Sequence, residues 1–290
     1  MAISPSHKFG QIIGDALEAA IRPLLLEFAK QQGLYLDQKG SRPCRKGLKC
    51  SWTDLHGNTH DLDFVLERGG TESEKGTPVA FIETAWRRYT KHSRNKAQEI
   101  QGAIEPLAET YKHAGPFKGA VLAGVFTEGA LDQLRSLGFT VLFFPYKTVI
   151  SAFERVGIDA FFDEDTPDVE CQRKVNQWDN LSKVDKEKVP KALLEGNQEE
   201  VRKFMTSLIA SITRQIDRIL IMALHGRTYE TMAIQDAIKL IELYDEGTTV
   251  SGFERYEIQI RFTNGNEITG RFTDKPSAIQ FLRMYEPGTC

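Results

Sequence analysis

The sequence has little cysteine: Cys44, Cys50, Cys171 and Cys290 are the four in 290 residues. No two of them form a Cys-x-x-Cys pair and no histidine stands at zinc-finger spacing from them, which sets aside the usual structural zinc sites. Four reduced thiols in a cytosolic protein are expected. A positive overall charge is also missing. The formal net charge is -3, so the whole molecule is not a basic nucleic-acid binder and any cationic surface must be local. No apolar run approaches the roughly 18 residues that a membrane helix needs. The stretch from Met1 to Lys8 lacks the basic-then-apolar pattern of a secretory signal. A cytoplasmic protein with no membrane partner is the expectation. The glycines between Gly115 and Gly129 have no phosphate-loop spacing, and neither Gly-Lys-Ser/Thr nor Gly-x-Ser-x-Gly follows from them. His56, His60, His92, His113 and His225 are dispersed along the chain.

What is present is ordinary globular material, 41% hydrophobic and 27% charged, enough for one large domain or two. Apolar residues from Ile12 to Phe28 recur at three- and four-residue steps and predict a helix over about 8–32, kinked at Pro23 and stopped by Gly33. A polar loop with Arg42, Arg45, Lys46 and Lys49 precedes a hairpin, Ser51–Leu55 and Thr59–Glu67, turning at His56-Gly57-Asn58. Pro78–Trp86 reads as a third strand. Strands over 118–126 and 139–145 alternate with helices over 93–112, 128–137 and 148–156, the order of an α/β sheet with helices on both faces. This predicts an α/β domain over 1–165, a charged linker over 166–196 and a smaller α+β domain over 197–290. Asn197 with Glu200 resembles a capping box. In the last part, Ala237–Tyr244 parallels Ala278–Tyr285, each after a candidate hairpin turning at His225-Gly226 or Asn264-Gly265, a degenerate strand-strand-helix repeat. The segment Ile219–Leu224 reads either as a strand or as an extension of the preceding helix. Tyr256, Arg261 and Arg271 read either as DNA contacts or as an exposed polar strand face, and Trp52 and Trp86 as packing residues.

Chemistry concentrates in the first domain. Within Asp61-Leu62-Asp63-Phe64-Val65-Leu66, strand alternation turns Leu62, Phe64 and Leu66 to the core and Asp61 and Asp63 to the other face. Glu83 lies inside the apolar strand Ala80–Trp86, where an acid is costly unless paired or bound to a cation. If the two strands are neighbours, Asp63 and Glu83 converge. A hard cation such as Mg²⁺ would relieve their repulsion; salt bridges to nearby Arg or Lys are the alternative. From Trp86 to Lys96 the chain carries Arg87, Arg88, Lys91, Arg94 and Lys96 and no acid. Cations entering a helix, with Ser93 as its cap, oppose the helix dipole, whereas a phosphate backbone would favour them. His60, beside Asp61, reads as a neighbour of the site or as a surface residue.

Helix, hairpin with an Asp on its second arm, strand with a Glu, then helix: over residues 8 to 145 this order resembles the PD-(D/E)XK nuclease superfamily, the restriction endonucleases especially. The resemblance implies a restriction-endonuclease-like mixed sheet flanked by helices, with Asp63 and Glu83 as Mg²⁺ ligands and catalytic residues. Asp61 is the alternative for the first position, and Glu18 is a further ligand candidate on the first helix. The family's Lys falls at Ala85, a departure. Lys96 is the preferred catalytic substitute, with Arg88 and Lys91 behind it, and Gln98 and Glu99 as further lining residues. Arg87, Arg88, Lys91 and Arg94 would bind DNA. The implied activity is Mg²⁺-dependent hydrolysis of phosphodiester bonds in double-stranded DNA, in restriction or defence against foreign DNA. A homodimer and a cognate DNA methyltransferase are the implied partners, and a catalytically inactive DNA-binding protein is the alternative.

Overall fold

The computed structural model describes residues 4–90, 93–224, 227–247 and 252–286. The chain opens with α1, Pro5–Gln32, whose start and stop are both local chemistry. The Ser4 side chain accepts the His7 N–H, Pro5 needs no N–H at the first position, and Gly33 takes the left-handed conformation (φ 64°) that closes the helix. The helix continues through Pro23. It buries Phe9, Ile13, Leu17, Ile21, Leu25 and Phe28 along one stripe.

The next elements are β1 (Leu34–Gln38), β2 (Cys50–Thr53), β3 (Thr59–Leu62), β4 (Phe64–Arg68), β5 (Thr77–Arg87), α2 (Ser93–Thr110), β6 (Phe117–Gly124), α3 (Glu128–Ser136), β7 (Thr140–Pro145) and α4 (Tyr146–Glu154). Five strands form a mixed sheet in the order β1-β4-β5-β6-β7. β1, β4 and β5 pair antiparallel, whereas β5, β6 and β7 run parallel through the crossovers α2 and α3. β5 is the central strand; nine of its eleven residues are buried, so both of its faces are covered. α1 and α2 both pack on it.

The predicted hairpin arm over 59–67 is two strands, not one. β3 pairs only with β2, from Cys50↔Leu62 to Thr53↔Thr59, whereas β4 pairs with β1 and β5 in the large sheet. Asp63 occupies the switch between the two sheets. Strand alternation therefore does not carry across it: Phe64, Val65, Leu66 and Glu67 are all buried, and Asp61 and Asp63 do not share one strand face.

The predicted linker over 166–196 is also corrected. It holds α5 (Asp168–Asp179), α6 (Lys183–Lys186) and α7 (Lys188–Glu195), followed by α8 (Gln198–Ile212). α5 and α7 pack on α1. Their buried stripes are short, Cys171-Lys174-Val175 and Val189-Leu193, which is why the charged composition hid them. Lys174 is buried with its ammonium on the Asp159 carbonyl at 2.7 Å. The expected Asn197–Glu200 capping box does not form. The Asn197 side chain donates instead to the Phe143 carbonyl of β7 (2.8 Å), and Glu200 accepts from Lys203.

The chain divides into two compact units, one of residues 1–110 and 117–208, the other of 111–116 and 209–290. The predicted boundary at 197 thus falls within the first unit. In the second unit, β8 (Ile216–Ala223), β9 (Thr228–Thr231), α9 (Ile234–Leu243), β10 (Tyr256–Phe262), β11 (Glu267–Phe272) and α10 (Lys275–Arg283) repeat strand-strand-helix twice. The antiparallel order is β11-β10-β8-β9. Ile219 lies directly across from Ile260, and the same chain spacing separates these two residues as separates Ala237 from Ala278. Residues 216–223 are thus a strand and not a helical extension. The turn at Asn264-Gly265 has Gly265 at φ 84°; the other predicted turn, His225-Gly226, lies outside the described residues. Tyr256 is fully buried in this unit's core, with its hydroxyl on Glu246, so it is no exposed DNA contact. Arg261 and Arg271 pair with Glu267 and Glu257.

Candidate active site

The switch at Asp63 positions its carboxylate. Because Phe64 is paired with Ile82, Asp63 arrives beside Glu83 and Thr84 of β5. Asp63 Oδ2 accepts two bonds from Thr84, one from the backbone N–H and one from the hydroxyl, each at 2.7 Å. The Asp63 backbone in turn favours the charged form of the Glu83 carboxylate. Thr84 thereby holds the Asp63 carboxylate against β5.

Glu83 is only 8% exposed. Burial, and after it the neighbouring Asp63 carboxylate, push its pKa up to about 8; the Lys96 ammonium pulls in the opposite direction and Glu18 adds to the rise. Glu18, one face of α1, is raised to about 7 by burial, then by Asp63 and Asp15, with Lys39 opposing. The first helix, the sheet switch, the central strand and the second helix therefore contribute Glu18, Asp63, Glu83 and Lys96 to one electrostatic cluster. Among the described residues, no group of three or more His, Cys, Asp or Glu side chains stands at metal-ligand spacing. Asp63 and Glu83 form a two-carboxylate pair with Glu18 nearby.

Asp61 is not part of this cluster. It stays within the β2–β3 hairpin, where Lys49 and the Ser51 hydroxyl both lie 2.6 Å from it and Lys49 lowers its pKa. His60 turns to Asp54 at 2.9 Å, away from Asp61. Two residues were not foreseen. Thr84 holds Asp63; its only trace in the sequence is a hydroxyl within an apolar strand. Lys39, following β1, bears on Glu18 and Asp15, and no sequence pattern links it to them.

Ala85, where the family's Lys would stand, is buried at 6%. Lys96 occupies the first turns of α2 with its ammonium 3.4 Å from Glu99, which also lies 3.6 Å from Arg87. Arg88 stacks its guanidinium over Tyr89 (4.2 Å) and Phe162 (4.5 Å). Arg94 and Gln98 are exposed on α2. Lys91 lies outside the described residues. An open groove of about 660 Å³ runs past Thr84, Arg87, Arg88, Lys96 and Glu99 on one side and the start of α1 on the other. Ser93 lies within α2 and donates its hydroxyl to the Thr90 carbonyl. No protein-family model, curated protein or solved structure matches the chain.

Proposed function

We propose that the first unit is a Mg²⁺-dependent endonuclease acting on double-stranded DNA, built on a restriction-endonuclease-like variant of the mixed α/β sheet. The observation that carries this reading is Glu83, a buried carboxylate held against Asp63 and left short of a compensating charge. Two acids converging next to the Lys96 ammonium fit a hard divalent cation, which takes oxygen ligands. The hydrogen bonds to Asp63 fall on Oδ2, which leaves Oδ1 to face a cation. Asp63 and Glu83 would hold the ion, with the charge of Glu18 acting on both from nearby.

Mg²⁺, when bound, supplies positive charge at a phosphoryl oxygen and acidifies water. The chain's own residues do the rest. Thr84 fixes the Asp63 carboxylate so that no reorganisation is needed on binding. Lys96, whose charge already acts on Glu83, takes the place left by Ala85 and stabilises negative charge developing on the phosphate. Arg87, Arg88 and Arg94 would hold the phosphate backbone to either side. A homodimer would bring two such sites to a duplex, and a cognate DNA methyltransferase would shield the host's own sites. A non-catalytic DNA-binding protein is the second reading, favoured by Ala85 alone.

The test is plasmid DNA incubated with Mg²⁺ and the full chain, beside Asp63→Ala and Glu83→Ala. The expected result is nicking or cutting by the parent, none in EDTA, and a loss of at least 100-fold in either variant. Salt-sensitive binding without cutting would favour the second reading. Equal cutting by all three proteins would reject the site.

A further inference from the structure

One wall of the groove is the start of α1, where His7 and Gln11 alternate with two glycines. Along α1, Gly10 and Gly14 both line it, and with Glu18 they stand at four-residue steps on one helix face. Glycine is among the least favourable residues in a helix interior, so two on one face call for a physical reason. Close packing is not that reason. A Cβ added at Gly14 would meet no atom within 4 Å, and one at Gly10 would sit 3.8 Å from the Trp86 indole, an ordinary contact. Neither glycine has a positive φ, so backbone geometry does not demand them either. The space beside these two glycines is open, with His7 and Gln11 next to it, and it looks across at Lys96, Arg87 and Thr84. Thr84 is the residue that holds Asp63, and one turn beyond Gly14 comes Glu18. Glu18, Asp63 and Glu83 do not themselves line the groove, but Gly14 and Thr84, which do, stand next to that cluster. Of its cations, Lys96 and Arg87 face the exposed carboxylate of Glu99 at 3.4 and 3.6 Å, Arg87 also donates to the Trp86 carbonyl at 2.9 Å, and Arg88 stacks on Tyr89 and Phe162.

Resting on the nuclease reading above, we propose that this groove is the track of one DNA strand to the site, its sugar–phosphate backbone lying against the Gly10–Gly14 face of α1 opposite Lys96 and Arg87. A polyanion supplies the charge these cations lack, and side chains at positions 10 and 14 would stand in its way. The aromatic residues that line the groove are covered: Trp86 and Phe162 are at 9% and 2% exposure, and the half-buried Tyr89 has the Arg88 guanidinium over its ring at 4.2 Å. The contact is thus with the backbone of the strand and not with its bases.

The experiment places a side chain on the track. Gly14→Leu is compared with the parent and with Gly102→Leu, a glycine of α2 that also has nothing within 4 Å and lies off the groove. Gly14→Gln repeats the test with a soluble side chain should the leucine variant fail to fold. Five quantities are read: binding of a labelled DNA duplex by anisotropy, KM and kcat for its cleavage, Mg²⁺ binding by calorimetry, and the melting temperature. Both Gly14 variants are expected to weaken DNA binding and raise KM by at least 10-fold. Their melting temperature should equal or exceed the parent's and their Mg²⁺ affinity should be unchanged. Gly102→Leu should match the parent in DNA binding. If a folded Gly14 variant binds DNA as the parent does, or changes only the oligomeric state, the track is wrong while the nuclease reading stands. If the parent neither binds nor cuts DNA, both fall.

Discussion

Glu83 shows how much a single residue can reveal through its cost. Its ordinary pKa of 4.5 rises to about 8 because burial and Asp63 disfavour its charge. An acid whose folded pKa is raised binds more protons in the native state than in the unfolded chain between those two values. Stability of the metal-free protein therefore falls as pH climbs from about 4.5 to about 8, and levels off above. Glu18, raised to about 7, adds to the fall in the same direction. Glu83→Gln should accordingly melt higher than the metal-free parent at pH 9, by several degrees, with the gap closing by pH 5 where the parent carboxyl is protonated. Added Mg²⁺ should raise the parent's melting temperature at pH 8 and leave that of the variant unmoved; scanning calorimetry with and without Mg²⁺ checks both. A parent that is the more stable of the two at pH 9 without metal would remove the strain on which the site argument stands.

Between elements, the edge of the large sheet is held by buried charge. Arg42 binds the Glu67 carboxylate through both terminal nitrogens, contacts Asp37 at 3.0 Å, and donates to the carbonyls of Thr71 and Glu74. Arg45 adds a contact to Asp37 at 3.2 Å. Arg42, Glu67 and Asp37 are each at most 2% exposed, so the cationic loop read between the first helix and the hairpin is a clasp joining β1, β4 and the loop before β5. Breaking one partner of such a network leaves an uncompensated buried charge. Glu67→Gln should cost about 3 kcal/mol or more in urea unfolding, without changing the first-unit residues that would bind Mg²⁺. A loss within about 0.5 kcal/mol, the usual size for a surface pair, would show that the clasp contributes little. How legible this was differs element by element. α1 was readable because its apolar stripe, Pro5 and Gly33 are local signals. α5 and α7 were not, because Cys171, Val175, Val189 and Leu193 are too few to outweigh their charged neighbours. Asp63 was found as a ligand candidate for the wrong local reason: alternation along one strand, where the chain in fact changes sheets.

At the scale of the whole molecule, the candidate site belongs to one unit. Glu18, Asp63, Glu83, Lys96 and the groove, whose lining reaches Phe162, all lie within the first unit, whereas the second unit has its own core around Ile219, Tyr256, Ile258 and Phe281. Ile258→Ala, which empties space in that second core, should lower its stability by about 2–5 kcal/mol. It should leave Mg²⁺ affinity in calorimetry equal to the parent's. A parallel loss of Mg²⁺ binding would mean the site depends on more than the first unit. What the sequence by itself determined is the alternation of helices and strands, the repeat in the second unit and the two acids worth watching, since periodicity, turn residues and an acid in an apolar strand are written in neighbouring positions. What only the tertiary structure decided is which acids meet. Asp61 and Asp63 are two residues apart, yet the first pairs with Lys49 in a hairpin and the second is held by Thr84 beside Glu83. That choice depends on strand partners distant along the chain, and so does the bare face of α1, whose glycines acquire meaning only when Lys96 stands opposite them.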